Sequence, residues 1–429
     1  MSVADPRPAF GTGEPAPEAF EGHELDSPEY RRISIALFLA GVATFALLYS
    51  TQPLLPMLST HFGVSAANSA LSVSAATMGL GASLLAVGPV SEVAGRTRLM
   101  IASLFASPVV GLIIALAPSW PALIALRVLQ GVVLAGLPAV AMAYLAEELS
   151  RASQARAAGL YVGGTALGGM AGRLITGAIA DVGGWRWGLG GIAAVGIACA
   201  AAVALLLPRS RGFHPAPRSL RHLAHQTKAI LTEPALVALF VIAGTSMGAF
   251  VGVFNAMAFR LEAAPYSLSV GVAGLVFVVY ALGSISSAQA GRLAGRHGQR
   301  AVEPIAALIM LAGVLVTLAT PLPLVMAGLA VMTVGFFAVH GVASGWVAAR
   351  ATLGVGAAGQ ASSAYLFWYY LGSSLFGSLA GTAWAANGWP AVVALAAGLV
   401  SVTLAASLWL RRVPRLTPPH RPDPQVAGH

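Results

Sequence analysis

Two short stretches of similar sequence decide the fold. Residues 88–98 read GPVSEVAGRTR, and residues 291–301 read GRLAGRHGQRA. The first and eighth positions are glycine in both stretches, and each stretch carries arginines between two long apolar runs. Both are therefore predicted to be tight turns between consecutive helices. A matched turn at the same place in each half of the chain predicts two related helical bundles.

The composition around these turns requires a membrane. Of the 429 residues, 57% are hydrophobic and only 9% are charged, whereas a soluble domain carries roughly 25% charged residues. Apolar runs recur along the whole chain, and about 20 helical residues cross a ~30 Å hydrocarbon core. The chain is therefore predicted to be an all-α polytopic membrane protein.

Twelve apolar runs are predicted to span the membrane, and the one long interior stretch divides them six and six. The spans cover about residues 33–58, 67–90, 98–118, 121–146, 156–180, 187–208, 234–259, 268–290, 301–319, 322–348, 358–384 and 389–410. The predicted domains are a disordered acidic cytoplasmic tail over 1–30, a six-helix bundle over 31–208, a basic cytoplasmic linker over 209–233, a second six-helix bundle over 234–410, and a cytoplasmic tail over 411–429. The linker is either a helix on the membrane surface or a solvated loop.

The basic residues predict the orientation. Of 24 Lys and Arg residues, 20 fall on the side of the spans that holds both termini, and two, Arg186 and Arg260, fall on the other side. Because basic residues concentrate in cytoplasmic segments, both termini are predicted to be cytoplasmic. The net charge of +9 then reflects topology and contact with anionic lipid, and no nucleic-acid partner is expected.

The sequence carries no pattern that predicts catalysis. It has a single cysteine, Cys199, and no His/Cys cluster with the spacing of metal ligands. The glycine-rich stretches GLGAS and GVGAAG lack the lysine of a phosphate-binding loop. We therefore expect no enzymatic activity, no cofactor and no metal.

The first turn carries a family signature. It resembles the G-x-x-x-D/E-R-x-G-R-[RK]-[RK] motif of the major facilitator superfamily through Gly88, Glu92, Gly95, Arg96 and Arg98. Val93 and Thr97 depart from the motif. The resemblance implies two pseudo-symmetric six-helix bundles and a conformational latch, in which the arginines pair with a carboxylate such as Glu147 or Glu148. Positive-inside charge alone explains the arginines, but it does not explain the spacing of the glycines and the acid.

Two further spans are similar to patterns of the same superfamily. In the fourth span, Arg127, Gln130 and Gly131 match R-x-x-Q-G and share one helix face. The fifth span contains GGTALGGMAGRLITG at residues 163–177. This stretch is similar in part to the helix-5 signature of drug–proton antiporters. It is closer to the acriflavine-sensitivity branch of bacterial inner-membrane transporters, whose members carry a similar GGM-x-GR run.

Arg173 lies inside this fifth span. Gly164, Gly168 and Gly172 form a stripe of small residues beside it, which allows another helix to approach closely. An arginine facing lipid costs at least a few kcal/mol, so we expect Arg173 to face the bundle interior or a water-filled cavity. The alternative is a side chain that extends to the outer membrane interface.

Polar and aromatic side chains cluster where the family places its central cavity. The predicted substrate-binding residues are Tyr49, Gln52, Arg127, Gln130, Arg173, Asn255, Tyr280, His340, Trp368 and Tyr369. All acidic residues are assigned to tails, loops or helix ends, so no carboxylate is expected within the membrane. His340 is the intramembrane group that titrates near neutral pH, and it is either a proton-coupling residue or a hydrogen-bonded core histidine.

Together these features predict a secondary-active transporter in the bacterial inner membrane. Its substrate is a small molecule, its partners are protons and membrane lipids, and it is expected to be a monomer. The family branch favours proton-coupled export of amphipathic toxic compounds. The embedded arginines favour a carrier for a small organic anion or other metabolite instead. A membrane sensor without transport activity is a third interpretation.

Overall fold

A computed structural model of the chain describes residues 22–208, 210 and 220–414, except for the side chains of residues 88, 89, 92–94 and 220–224. The regular elements in these ranges are helices, with one isolated bridge between His23 and Leu149. In chain order the helices are α1 (Pro28–Leu48), α2 (Leu55–Phe62), α3 (Ala66–Ala94), α4 (Arg96–Ala115), α5 (Trp120–Leu134), α6 (Ala141–Glu148), α7 (Arg151–Gly183), α8 (Trp185–Leu206), α9 (Leu220–Thr232), α10 (Pro234–Glu262), α11 (Val270–Gly274), α12 (Ala281–His297), α13 (Gln299–Val316), α14 (Leu322–Gly354) and α15 (Ala358–Leu410).

The predicted all-α membrane architecture is confirmed. Within the described ranges, nine helical segments are long and apolar enough to cross a membrane. The twelve predicted spans all fall on helices, because α15 contains two spans joined by the non-helical residues Asn387 and Gly388. Two predicted spans are not among these nine segments. One is the glycine-rich α7, and the other is the shorter α5, which is followed by α6. Short 3₁₀ turns at Gln52–Leu54 and Leu275–Tyr280 interrupt the first and eighth spans.

The structure differs from the prediction at the start of the chain. Ser27 caps α1 by accepting a hydrogen bond from the Tyr30 backbone N–H at 3.1 Å, so the first helix begins five residues earlier than predicted. His23 donates its backbone N–H to the Glu148 carbonyl at 2.8 Å. Residues 22–30 of the predicted disordered tail are therefore placed against the bundle by backbone hydrogen bonds, which leave no pattern in the sequence. Residues 1–21 of that tail, most of the linker before α9 and the C-terminal tail from 415 lie outside the described residues.

Both ends of the described chain lie on the same side of the helical bundles. Arg32 on α1 donates to the carbonyls of Leu205 and Leu206 at the end of α8, and Arg350 on α14 donates to the Pro414 carbonyl. We call this side the terminal face. The turns at 63–65, 116–119, 263–269 and 317–321 lie on the opposite side, which we call the far face.

Glycines bring helices into backbone contact in each half. A Cβ atom on Gly164, Gly168 or Gly172 of α7 would lie only 2.3–2.4 Å from backbone atoms of α1. In the second half, a Cβ on Gly372 of α15 would lie 1.9 Å from the Gly244 carbonyl oxygen of α10. The first and fifth spans (α1 and α7) therefore pack against each other in the same way as the seventh and eleventh spans (α10 and the first part of α15). This similarity agrees with two related bundles.

Glu233 anchors the start of α10. Its carboxylate accepts a hydrogen bond from the Leu236 backbone N–H at 2.7 Å and one from Arg350 on α14 at 2.8 Å. Burial alone would raise the pKa of Glu233, but the hydrogen bonds from Arg350 and Leu236 outweigh it and leave the pKa below its ordinary value. The ionised carboxylate therefore stabilises this corner at neutral pH, and this stabilisation is lost as the pH falls through its pKa.

We expect Gly168→Ala to lower the thermal stability of the purified protein, because the added methyl group meets the Val42 backbone at 2.3 Å. Overpacking of this kind typically costs about 1–3 kcal/mol. Thermal unfolding in detergent measures the effect.

Gly159→Ala provides the matched control on the same helix. Nothing lies within 4 Å of its added methyl group, and alanine favours the helix by up to about 1 kcal/mol over glycine. Equal melting temperatures for the two variants would contradict the close packing of α7 on α1.

Candidate functional site

A cavity of about 510 Å³ lies between the two halves. Helices α1 and α7 line it from the first half, and α10, α12, α14 and α15 line it from the second. Gly159 and Ala288, which line it towards the terminal face, are exposed, whereas Arg173 at its inner end is only 2% exposed. The cavity therefore opens towards the terminal face.

Hydrogen bonds between the halves close the other side of the cavity. Ser74 on α3 donates to the Ser374 carbonyl on α15 at 2.8 Å, and the Thr77 and Ser374 hydroxyls are also 2.8 Å apart. At the far face, Ser269 donates to Asp181 at 2.9 Å. These bonds extend from the far face to the middle of the spans, so the structure is closed on that side.

Arg173 occupies the inner end of the cavity and does not extend to the membrane interface. Its Nε donates to the Gln52 side-chain oxygen at 2.5 Å, and its Nη1 donates to the Gly169 carbonyl. Gln52 in turn donates to Asn255 of the second half at 2.7 Å. Gln52 and Asn255 therefore act behind the cavity wall, where they orient the guanidinium.

Three aromatic rings surround the same guanidinium. The ring centroids of Tyr49, Tyr280 and Phe277 lie 4.2, 4.7 and 5.0 Å from Arg173 Cζ. Such contacts stabilise a cation that is removed from water. Arg173 is thus held as a cation without a carboxylate partner in the described part of the chain.

Hydrogen-bonding capacity remains unused at this position. The guanidinium has five N–H donors, and its Nη2 group has no protein partner among the residues described. The Tyr280 hydroxyl is also buried without a hydrogen-bond partner there. Both groups lie on cavity-lining side chains, so they are available to a ligand.

The opposite wall is aromatic. Phe250 and Phe336 stack with ring centroids 3.9 Å apart, and Phe337 packs edge-to-face against Phe336 at 5.2 Å. Further along, His340 lies 4.8 Å from the ring of Tyr369. This surface suits an apolar or aromatic ligand group.

His340 connects the cavity to the interior of the second half. Its Nδ1 lies 3.0 Å from the Tyr365 hydroxyl, and its ring lines the cavity. Tyr365 is 2% exposed. The hydrogen bond fixes the orientation of the imidazole, and it agrees with both interpretations that the sequence left open for His340.

The cavity is positively charged. Among the residues that the structure assigns to its wall, Arg173 is a cation and none is Asp or Glu. Across the described ranges, no three His, Cys, Asp or Glu side chains converge as metal ligands would.

Half of the predicted substrate-binding set lines the cavity. These residues are Tyr49, Arg173, Tyr280, His340 and Tyr369. Trp368 does not line it, because its side chain is 37% exposed on the outside of α15. Trp368 and Tyr369 are adjacent in sequence, but consecutive residues of a helix point in different directions. Tyr369 therefore faces the cavity while Trp368 points away from it.

Arg127 and Gln130 also lie away from the cavity, fully buried inside the first half. Arg127 donates to the carbonyls of Leu48 and Ser72 at 2.5 and 2.7 Å and to the Gln130 side chain at 2.5 Å. The Leu48 carbonyl is freed where α1 ends before Pro53, and helix ends need such partners. These contacts give Arg127 a structural position instead of the predicted contact with substrate.

Two residues of the predicted latch contact each other. Arg96 forms an ion pair with Glu147, with Nη2 and Oε1 2.6 Å apart, whereas Arg98 is exposed. The pair joins α4 to α6 within the first half and does not cross between halves. Gly95 has a φ of 88°, and its counterpart Gly298 has 84°, so both matched turns need glycine. The side chains of Gly88 and Glu92 lie outside the described residues.

The sequence prediction missed the burial of two carboxyl groups, Glu148, which accepts a hydrogen bond from Ser210, and Glu303. Glu303 lies on the second turn of α13 and is 0% exposed, although its position near a helix end suggested exposure. Val302, Ala306 and Ala307 beside it belong to a core cluster of the second half. Burial here is set by the neighbouring helices, which the local sequence does not reveal. The cavity aromatics Phe250 and Phe336 were missed because phenylalanine is common in any membrane core.

Comparisons with known proteins agree with this arrangement. The model of the Major Facilitator Superfamily matches residues 37–376. The chain is 40% identical to "Inner membrane transport protein YnfM" of Escherichia coli, covering 90% of this chain and 92% of that protein. It is 38% identical to "Uncharacterized MFS-type transporter YybF" of Bacillus subtilis, covering 90% and 93%. Its fold is similar to that of a bacterial homologue of the human lysosomal transporter Spinster, with a TM-score of 0.68, 19% identity, and coverage of 90% and 95%.

The chain therefore belongs to the major facilitator superfamily. It is a multi-pass membrane transporter with the fold of that family, and it is not an enzyme. The predicted fold class is confirmed.

We expect the double change Thr77→Val and Ser374→Ala to shift the protein away from the conformation open at the terminal face. Each lost hydrogen bond between the halves contributes about 1 kcal/mol, and these bonds exist only when the far side is closed. A Gly159→Cys reporter at the cavity mouth, in a Cys199→Ser background, should then react several-fold more slowly with a water-soluble maleimide.

The matched control is Thr333→Val with Ser407→Ala. These hydroxyls are buried to the same degree, but each bonds to a carbonyl of its own helix. An equal change in labelling rate for both double variants would contradict a role for the cross-half bonds.

Proposed function

We propose that this transporter carries amphipathic organic anions, with an aromatic or apolar body and one negative group, by alternating access. The observation that supports this most directly is Arg173, a buried cation with free donors in an aromatic cavity that has no acidic residue among the described residues of its wall. A cationic ligand would bring a second positive charge into a poorly solvated site, which is unfavourable. An anion would pair with the charge that is already there.

The geometry supports a defined binding mode. The carboxylate of a ligand would accept hydrogen bonds from Arg173 Nη2 and from the Tyr280 hydroxyl, both of which lack protein partners among the described residues. Its apolar body would lie against Phe250, Phe336 and Phe337. A volume of about 510 Å³ is within the ~300–1,000 Å³ usual for small-molecule sites.

A second candidate function is proton-coupled export of amphipathic toxic compounds, as in the acriflavine-sensitivity branch. The large aromatic wall supports it, because such a wall accepts many apolar ligands. In this case Arg173 would be a structural residue, bonded to Gln52 and Gly169 and covered by tyrosine rings. The two candidates differ in the sign of charge that the ligand carries.

We further propose that the terminal face is cytoplasmic and that the protein resides in the bacterial inner membrane. The steep bias of Lys and Arg towards the terminal face supports this orientation, and the similar Escherichia coli protein is named for that membrane. The described conformation is then open to the cytoplasm. We retain the monomer as the expected state.

We expect Arg173→Gln to abolish binding of an aromatic monocarboxylate while leaving the protein folded. Loss of a charge-assisted hydrogen-bond pair of ~3 kcal/mol weakens binding on the order of 100-fold. The measurement is thermal stabilisation of purified protein by cinnamate and by the lipophilic cation ethidium. Tyr280→Phe, which removes only a hydroxyl group, should weaken cinnamate binding on the order of tenfold.

Arg186→Gln serves as the control, because it makes the same change at an exposed arginine on the far face. Stabilisation by ethidium that survives in Arg173→Gln, without any response to cinnamate in the wild type, would favour the efflux function.

We also propose that Arg96 and Glu147 act with Gly88, Glu92, Gly95 and Arg98 as the family latch that favours the outward-facing state. The ion pair lies beside the glycine turn that joins α3 to α4. Movement of these helices during transport would change the geometry of the pair.

We expect Glu147→Gln to speed the labelling of Gly159→Cys. The proposed latch holds the outward-facing state more strongly than the described one, so weakening it favours the conformation open at the terminal face. This change is opposite to that expected for Thr77→Val with Ser374→Ala. Glu29→Gln, at the start of α1, is the control. An unchanged labelling rate in Glu147→Gln would remove the latch role.

A further inference from the structure

Glu303 is a buried carboxyl group that the binding site does not use. Both of its carboxyl oxygens lack a hydrogen-bond partner among the residues described, and the side chain is fully buried. An unpaired carboxylate in such surroundings would carry a large desolvation cost. The site therefore favours the neutral, protonated acid.

The helices packed against Glu303 carry several titratable groups. Helix α13 packs against α12, α14 and α15. The titratable or charged groups on these helices are Arg292, Arg296, His297, His340, Arg350, Tyr365, Tyr369, Tyr370 and Arg411 at the end of α15. Tyr365 belongs to the same buried cluster as Val302, Ala306 and Ala307, which lie beside Glu303 on α13, and it interacts electrostatically with Glu303.

Tyr365 links Glu303 to the substrate cavity. Its hydroxyl is bonded to His340 Nδ1 at 3.0 Å, and His340 lines the cavity. A tyrosine hydroxyl has a single proton, so it can donate to only one neighbour at a time. When Glu303 is ionised, the Tyr365 proton is attracted towards the carboxylate and its bond to His340 changes.

Water comes close to Glu303 from the terminal face. A crevice of about 480 Å³ is lined by Gln299, Arg300, Trp346 and Arg350, among others. Gln299 lies four residues before Glu303, which is one helical turn or about 6 Å along the axis. Protons from that side therefore need to pass only one turn of helix to reach the carboxyl group.

We propose that Glu303 is the proton-binding site of this transporter, coupled through Tyr365 and His340 to occupancy of the cavity. The sign of the coupling rests on the proposed function. An anion in the cavity favours the protonated forms of nearby groups, so proton and anion bind together and move in the same direction. A cationic ligand would instead favour release of the proton.

The first test is spectroscopic and does not require transport. Infrared spectra of purified protein over a range of pH should contain the carbonyl band of a protonated carboxylic acid that persists at neutral pH. We expect part of this band to be lost in Glu303→Gln, which mimics the protonated acid, and the whole band to be retained in the control Glu29→Gln. Absence of the band from the wild type, or an unchanged band in Glu303→Gln, would overturn the proposal.

The second test measures coupling in proteoliposomes with radiolabelled cinnamate. In the wild type, an inward proton gradient should drive accumulation, with proton uptake reported by an entrapped pH dye. Glu303→Gln should lose this accumulation at least tenfold while keeping exchange of internal for external cinnamate, which needs no net proton movement. Tyr365→Phe should lower accumulation and leave exchange intact. Gradient-driven accumulation equal to wild type in Glu303→Gln would overturn the coupling.

The two proposals fail separately. If cinnamate neither binds nor exchanges, the anion function is wrong, and the pH-dependent infrared band still decides whether Glu303 holds a proton. If cinnamate exchanges in the wild type and in Glu303→Gln, and both also accumulate it, the anion function stands and Glu303 is a structural residue.

Discussion

Removing an ionised group from water without compensation costs several kcal/mol, and this constraint governs how charge is arranged inside the bundle. Three of the buried ionisable residues satisfy this constraint in different ways. Arg127 is compensated by carbonyl oxygens at the end of α1 and by Gln130. Arg173 is compensated only in part, by two oxygen atoms and three aromatic rings. Glu303 has no partner among the described residues, and neutralisation is the remaining way to meet the cost.

This ranking separates structural groups from functional ones. A charge with four of its five donors bonded, such as Arg127, stabilises one arrangement of helices and has little to offer a ligand. A charge with unused donors beside a cavity stays ready for an external partner. Arg127 is more fully compensated than Arg173. Two chemically identical side chains on neighbouring spans therefore have different roles.

Much of the fold was predictable from the sequence, because the signals were local. Apolar runs, the bias of basic residues and the paired glycine turns each depend on a few consecutive residues. The glycine stripe on α7 predicted a close helix contact but did not identify α1 as the partner. The site was only half predictable. Whether Trp368 or Tyr369 faces the cavity depends on the rotation of α15 about its axis, and the buried position of Glu303 depends on three other helices. The role of Arg127 required knowing which carbonyls the break after α1 leaves unpaired.

Among the residues that the structure describes, the positive charge of the cavity wall comes from one side chain, Arg173, and this has an evolutionary consequence. Because the glycine face of α7 fixes the helix against α1 while Arg173 projects from another face, the residue at that position can change without moving the scaffold. A single substitution there would alter the charge preference of the cavity and leave its shape and aromatic wall in place. Descendants of one ancestral carrier could thus diverge between charged and neutral cargoes through one position, with the transport machinery inherited unchanged.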